Sequence, residues 1–190
     1  MILSGVDIER ALKTKLIVIE PTLAGDAIDS SALDLRIGEP FYTWKKDLVS
    51  QSGVAVTINL DSFKYQSLAG PYLEEVKKES NGQYIIHPNQ FYLSATHESV
   101  NLPIKSRLAA RVEGKSSLAR LGLVIHMTAP TIHCGFNGVI TLEIFNYGPF
   151  PLCVTPGKTR VCQLIIEKLS STPKEPGGKS FSGQKTAKGK

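Results

Sequence analysis

The second half of the chain is a succession of short apolar runs, each closed by turn residues, and this rhythm constrains the fold more than any other feature. Arg107 to Val112, Leu123 to Thr128, Val139 to Phe145 and Val161 to Leu169 each read as a strand. Asn137-Gly138 precedes the third of these runs and Asn146-Tyr147-Gly148-Pro149 follows it. Many short strands joined by Gly, Pro and Asn turns indicate a mainly β fold: an antiparallel sandwich, barrel or jelly roll. The first half adds less. Ser4 is a good helix N-cap with Asp7 in the first turn, and Ile8, Ala11 and Leu12 recur at helical spacing, so a short helix is expected at about 4–13. Leu16 to Ile19, Ser31 to Ile37, Val54 to Leu60 and Gln90 to Ala95 read as strands. The charged stretch Glu74 to Glu79 reads as a loop or short helix, and Ser116 to Leu121 as a short helical turn. No internal repeat is evident.

A length of 190 residues suits one domain, and 42% hydrophobic residues suffice for a packed core. Residues 1–170 are expected to form the folded body and residues 171–190 a flexible basic tail. The net charge of +5 falls to about +1 once the tail's five lysines and one glutamate are set aside. A near-neutral body argues against a nucleic-acid-binding face, which shows a clustered basic stripe. The tail is either a solvated end or a flap that closes on an anionic ligand. Cys134, Cys153 and Cys162 are odd in number and form no CxxC pair, so a reduced, cytoplasmic setting is expected, without a disulfide framework. Met1-Ile2-Leu3-Ser4-Gly5 has neither the basic start nor the apolar core of a signal peptide. No apolar run approaches the roughly 20 residues a membrane span needs.

Three clusters of residues invite chemistry. Glu143 lies in Val139-Ile140-Thr141-Leu142-Glu143-Ile144-Phe145. Strand alternation sets Ile140, Leu142 and Ile144 on one face and Val139, Thr141, Glu143 and Phe145 on the other. A lone carboxylate there either faces solvent or is buried for a purpose, and a buried carboxylate can shuttle protons near neutral pH. In Glu113-Gly114-Lys115-Ser116-Ser117-Leu118-Ala119-Arg120-Leu121-Gly122, two serines follow a Gly-Lys pair and open a helical turn. That arrangement suits phosphate or serves as an ordinary N-cap beside a solvated lysine; it lacks the glycine spacing of a Walker A loop. His126, His133 and Cys134 suggest a metal only weakly, since the H-x-E and P-C-x-x-C strings of zinc deaminases are absent, and no direct metal ligand is expected. Asp34, between Leu33 and Leu35, reads as a turn or hydrogen-bonding acid.

Taken in order, these segments resemble the deoxycytidine triphosphate (dCTP) deaminases of the deoxyuridine triphosphatase (dUTPase) superfamily. The specific block runs from Glu113 through His126-Met127-Thr128-Ala129 to Gly135-Phe136-Asn137-Gly138-Val139 and on to Asn146. Met1-Ile2-Leu3-Ser4 with Asp7-Ile8, Leu33-Asp34-Leu35-Arg36-Ile37-Gly38, and Pro156-Gly157 leading to Cys162-Gln163-Leu164-Ile165 extend the similarity over about residues 1–169, loosest at 45–85. The resemblance implies a distorted jelly roll of the dUTPase-like type, a homotrimer with active sites at subunit interfaces, and zinc-independent deamination of dCTP to dUTP and ammonia. By that analogy Glu143 activates a water, Arg120 stabilises Glu143 and orients the water, and Ser116 positions base and water. Lys115 and Ser117 hold the triphosphate, backbone groups near Met127 and Ala129 read the cytosine edge, and Phe136 packs on the deoxyribose. Magnesium enters as the triphosphate's counterion.

The chain departs from the pattern at three places. The family often has arginine where Lys115 stands, and lysine supplies charge without the bidentate fork. Both superfamily branches usually place an aspartate at His133, which holds the sugar hydroxyl and in the triphosphatases helps activate water; an imidazole still hydrogen-bonds but is a poorer carboxylate base. In the tail, Gly178-Lys179-Ser180-Phe181-Ser182-Gly183-Gln184 is a shortened counterpart of the family's closing segment, with Lys179 and Gln184 as phosphate contacts. The competing readings are a bifunctional enzyme giving dUMP and pyrophosphate, a plain dUTPase, and a non-catalytic nucleotide sensor.

Overall fold

A computed structural model describes residues 1–46, 48, 56–175 and 183–189. Helix α1 (Gly5–Lys13) opens the chain, and the Ser4 hydroxyl oxygen accepts a hydrogen bond from the Asp7 N–H at 3.3 Å. This cap satisfies one of the helix's orphan donors, and Asp7 meets the positive end of its dipole. Ile8 and Ala11 bury the inner face. The strands that follow are β1 (Val18–Glu20), β2 (Leu33–Arg36), β3 (Tyr42–Trp44), β4 (Leu73–Glu75), β5 (Tyr84–Ile86), β6 (Phe91–Asn101), β7 (Leu108–Gly114), β8 (Leu123–Val124), β9 (Thr131–Ile132), β10 (Asn137–Asn146), β11 (Leu152–Val154) and β12 (Arg160–Lys168). Helix α2 (Tyr65–Tyr72) leads into β4, and α3 (Ser116–Ala119) sits between β7 and β8.

One sheet runs β4-β3-β6-β10-β8, with β1 also on β6; a second runs β2-β12-β7-β9; β11 and β5 form a ribbon. All these pairings are antiparallel. Leu33 and Leu35 of β2, Leu142 and Ile144 of β10, and Leu164 and Ile166 of β12 are each 0% exposed and belong to one apolar cluster. The period-two burial of β10 and β12 is what gives each sheet one inward face. The mainly β architecture expected from the sequence is the one observed.

A buried ion pair ties the two large sheets. Arg36 Nε donates to Glu98 Oε1 at 2.6 Å and the Arg36 backbone N–H to Oε2 at 2.8 Å, with the Glu98 side chain wholly buried. Such a carboxylate is tolerated only because its oxygens are occupied. Beside it, the β6–β10 register shifts between Val139 and Thr141. The Thr96 hydroxyl fills that gap: it accepts from the Ile140 N–H at 2.9 Å and donates to the Glu98 carbonyl at 2.7 Å.

The differences from the sequence reading lie mostly in the first half. Glu74 and Glu75 belong to β4, paired with Thr43 and Tyr42 of β3, rather than to a loop or helix, because a strand partner outweighs their weak strand preference. Of the strand expected at Val54 to Leu60, residues 54 and 55 lie outside the described residues; residues 56–60 form no strand, and all but Val56 are exposed. β8 stops at Val124, short of Thr128, since β10 offers it only Phe145 and Asn146 as partners. No described helix is long and apolar enough to cross a membrane.

Residues 183–189 return to the body. The Gly183 N–H donates to the Asn137 carbonyl, and the Val139 N–H to the Gln184 carbonyl, so this piece of tail lies along the edge of β10 that faces away from β6. Gly138 makes the approach possible: at φ +145° it has no side chain, and a Cβ there would lie 3.0 Å from the Gln184 carbonyl oxygen. Ala187 is 2% exposed and packs with Tyr42, Ala69, Leu73 and Leu93.

Candidate active site

The face of β10 opposite the core carries Thr141 and Glu143, and it forms one wall of a cavity of about 490 Å³. That volume is within the roughly 300–1,000 Å³ of small-molecule sites. The remaining walls are largely apolar: Trp44 from β3, Phe91 and Leu93 from β6, Val112 from β7, Ile132 and Phe136. Polar groups are fewer: Tyr65, His126, Thr131, His133 and Gln184 besides Thr141 and Glu143. An apolar slot with sparse polar groups suits a flat heteroaromatic ring held by a small number of directed hydrogen bonds.

Glu143 is half-buried, and its Oε2 accepts a hydrogen bond from the Met127 N–H at 3.3 Å. The strand alternation thus takes Glu143 neither into the core nor fully into solvent, but into a shared cleft. Burial pushes the Tyr65 phenol above the ordinary tyrosine value, and the nearby charge of Glu143 raises it further. The Tyr65 hydroxyl donates to the Ala187 carbonyl at 2.9 Å. Gln184, 4% exposed, donates from Nε2 to the Val139 carbonyl at 2.8 Å and to Thr141 Oγ1 at 2.9 Å. Its Oε1 and the Nδ1 of His126 are buried with no hydrogen-bond partner among the described residues.

Of the residues singled out in the sequence, Glu143, Ala129, His133, Phe136 and Gln184 line this cavity together. Met127 joins them through its backbone N–H, while the residue as a whole is 46% exposed. Ser116, Ser117 and Arg120 are exposed and do not line it. Their turn adjoins the C-terminal end of β10: Leu123 and Val124 pair with Asn146 and Phe145, and the Tyr147 N–H bonds the Gly122 carbonyl. Lys115 is half-buried in an ion pair with Asp34, at 2.6 Å from Nζ to Oδ1. Lys179 lies outside the described residues. Trp44, Tyr65, Phe91 and Leu93 belong to the cavity without having been singled out as site residues, and His126, weighed in the sequence only as a weak metal candidate, joins them. Among the described residues no group of three or more His, Cys, Asp or Glu side chains is gathered to hold a metal ion.

Residues 2–169 match a family described as dCTP deaminase-like. A protein of Methanosphaera stadtmanae named dCTP deaminase, dUMP-forming, is 39% identical over 177 residues, 93% of this chain and 84% of that protein. A dCTP deaminase of Rhodospirillum rubrum is 38% identical over 188 residues, 99% of this chain and 91% of the relative. In three dimensions the chain resembles the crystal structure of 2'-deoxycytidine 5'-triphosphate deaminase from Agrobacterium tumefaciens, with a TM-score of 0.63 at 24% identity. The match covers 87% of this chain and 47% of that one, so the chain spans about half of that protein's length. The shared fold is mainly β, built of antiparallel sheets with a few short helices. By a match that runs almost from end to end, the chain belongs to the dCTP deaminase-like family.

Proposed function

We propose that this protein removes the amino group from the cytosine of dCTP, giving dUTP and ammonia without zinc. The observation that carries the reading is Glu143, a half-buried carboxylate on the wall of an otherwise largely apolar cavity. Glu143 takes a proton from a water and passes it to N3 of the ring as the water oxygen adds to C4. It next takes the proton of the new hydroxyl and passes it to the amino nitrogen. The C4–N bond breaks, C4 becomes a carbonyl carbon, and ammonia leaves. The Met127 N–H holds the carboxylate in orientation. Backbone groups near Met127 and Ala129 read the base edge, Phe136 packs on the deoxyribose and His133 meets the sugar hydroxyl. Gln184, with Lys179, belongs to the tail that covers the phosphates.

Ser116, Ser117 and Arg120 complete the site from a second copy of the chain. Their exposure on a turn away from their own cavity supports this arrangement, as does the homotrimer that the family resemblance implies. Magnesium enters with the triphosphate, held by phosphate oxygens and water.

A second reading ends at dUMP and pyrophosphate, and the name of the Methanosphaera relative favours it. His133 weighs against it, because an imidazole stands where the resemblance puts a water-activating carboxylate. Incubation with dCTP and magnesium, with nucleotides and ammonia resolved over time, separates the two. Ammonia and dUTP, unaffected by a zinc chelator, support the first reading. dUMP with pyrophosphate supports the second, and no ammonia at all refutes both.

A further inference from the structure

Strand β6 buries three polar residues at alternate positions: Ser94, Thr96 and Glu98 are at most 2% exposed. Each has a defined partner. The Ser94 hydroxyl donates to the Gly38 carbonyl at 3.2 Å. Both carboxylate oxygens of Glu98 accept from Arg36, whose Nη1 also donates to the Gly157 carbonyl at 2.9 Å. Thr96 differs from both, because its hydroxyl crosses to β10. Val139 pairs with Ser99 and Thr141 with Ala95, so Thr96, His97 and Glu98 together face the single residue Ile140. A regular ladder cannot run through such a bulge. The Ile140 N–H goes instead to the Thr96 hydroxyl, and that hydroxyl donates to the Glu98 carbonyl.

The bulge sits where strand and cavity meet. Ile140 and Thr141 line the cavity, and so do Glu143 and the Leu93 it pairs with. The offset between β6 and β10 therefore decides how Thr141 and Glu143 sit in the cavity, and how Glu143 meets the Met127 N–H. The bulge is pinned at both ends. Before it, the Gly38 N–H donates to the Ala95 carbonyl at 2.7 Å, and after it the Arg36 bonds hold Glu98. Between these pins the Thr96 hydroxyl ties β6 to β10. We propose that Thr96 is a positioning residue for the base: its hydroxyl, framed by the Arg36–Glu98 pair, fixes the bulge that aims Glu143 into the cavity. Thr96 does not itself line the cavity. This rests on the reading of Glu143 as the group that moves protons.

The test uses the full chain in three variants. Thr96→Val keeps the branched shape and removes the hydroxyl. Thr96→Ser keeps the hydroxyl. Ser94→Ala removes a neighbouring buried hydroxyl that is bonded away from β10. Steady-state kinetics with dCTP are measured below each variant's melting temperature, beside the amide NMR signals of nucleotide-free protein. Thr96→Val should lower kcat about tenfold or more with KM moved less than about threefold, since misplacement of a catalytic group acts on the chemical step. The Met127 amide signal should move, as its carboxylate acceptor is displaced, while those of α1 stay. Thr96→Ser should recover most of kcat. Ser94→Ala should lower the melting temperature and leave kcat and the Met127 signal as in wild type. A Thr96→Val protein with kcat within about twofold of wild type, or with the Met127 signal unmoved, would show that Thr96 only stabilises the fold, and that overturns the proposal. An equal loss of kcat in Ser94→Ala overturns it too, since any buried hydroxyl of β6 would then serve. If the wild-type chain releases no ammonia from dCTP, the functional reading falls, and the Met127 signal alone decides whether Thr96 places Glu143. If Thr96→Val does not fold, Thr96→Cys, a weaker hydrogen-bond partner, carries the comparison.

Discussion

A carboxylate that moves protons needs partial shelter from water and a donor to hold it, and Glu143 has both in the cavity wall and the Met127 N–H. Its charge also reaches Tyr65, whose phenol burial has already raised. A titration of Tyr65 followed by NMR should therefore show a pKa above the ordinary tyrosine value, and Glu143→Gln should lower it without removing the whole shift. A Tyr65 unaffected by Glu143→Gln would mean that the two side chains do not share the cavity. For stability the sign follows from the raised value: the contribution is complete below the unfolded pKa of about 10 and is lost as pH climbs through the folded one. Glu143 was legible in the sequence because one acid breaks an apolar alternation. Tyr65 was not, since it lies in a stretch without clear periodicity and enters the cavity only through tertiary folding. Asp34 was legible as a hydrogen-bonding acid, but its partner Lys115, far along the chain, was not.

At the scale of elements, β10 is the organising strand. It gives the core Ile140, Leu142 and Ile144, gives the cavity Thr141 and Glu143, and offers its free edge to the tail through Asn137 and Val139. The tail then buries Ala187 in the cluster against which Trp44 packs, and the Lys188 ammonium lies 4.6 Å from the centre of the Tyr42 ring. Truncation after residue 182 should expose that patch. The fluorescence of Trp44, the single tryptophan, should shift to the red while the fold persists. An unchanged spectrum would show that residues 183–189 do not cover it. The strands β7, β10 and β12 were readable because apolar runs and Gly or Asn turns bound them. β3, β4, β5, β9 and β11 are two or three residues long and are defined by their partners, a signal that composition does not carry.

At the scale of the molecule, a single chain leaves apart two residues that the proposed chemistry uses together. Glu143 lines the cavity, while Arg120 is exposed on the turn that precedes β8 and does not line it. If neighbouring copies share sites, Glu143→Gln and Arg120→Ala chains, each inactive alone, should complement when unfolded and refolded as a one-to-one mixture. Random assembly would restore about a quarter of wild-type activity, because each site draws one intact residue from each of two subunits. No recovery in mixed oligomers would place both residues in one subunit's site. The block from Glu113 to Asn146 made the family legible, since several short motifs stand there in order.

The most direct test of the central claim is ammonia release from dCTP by the Glu143→Gln protein, beside its affinity for dCTP. The account predicts turnover lowered at least about a hundredfold, as expected for loss of a general base, with nucleotide binding retained. Normal ammonia release from Glu143→Gln would contradict the mechanism, and the proton would have to move through another group.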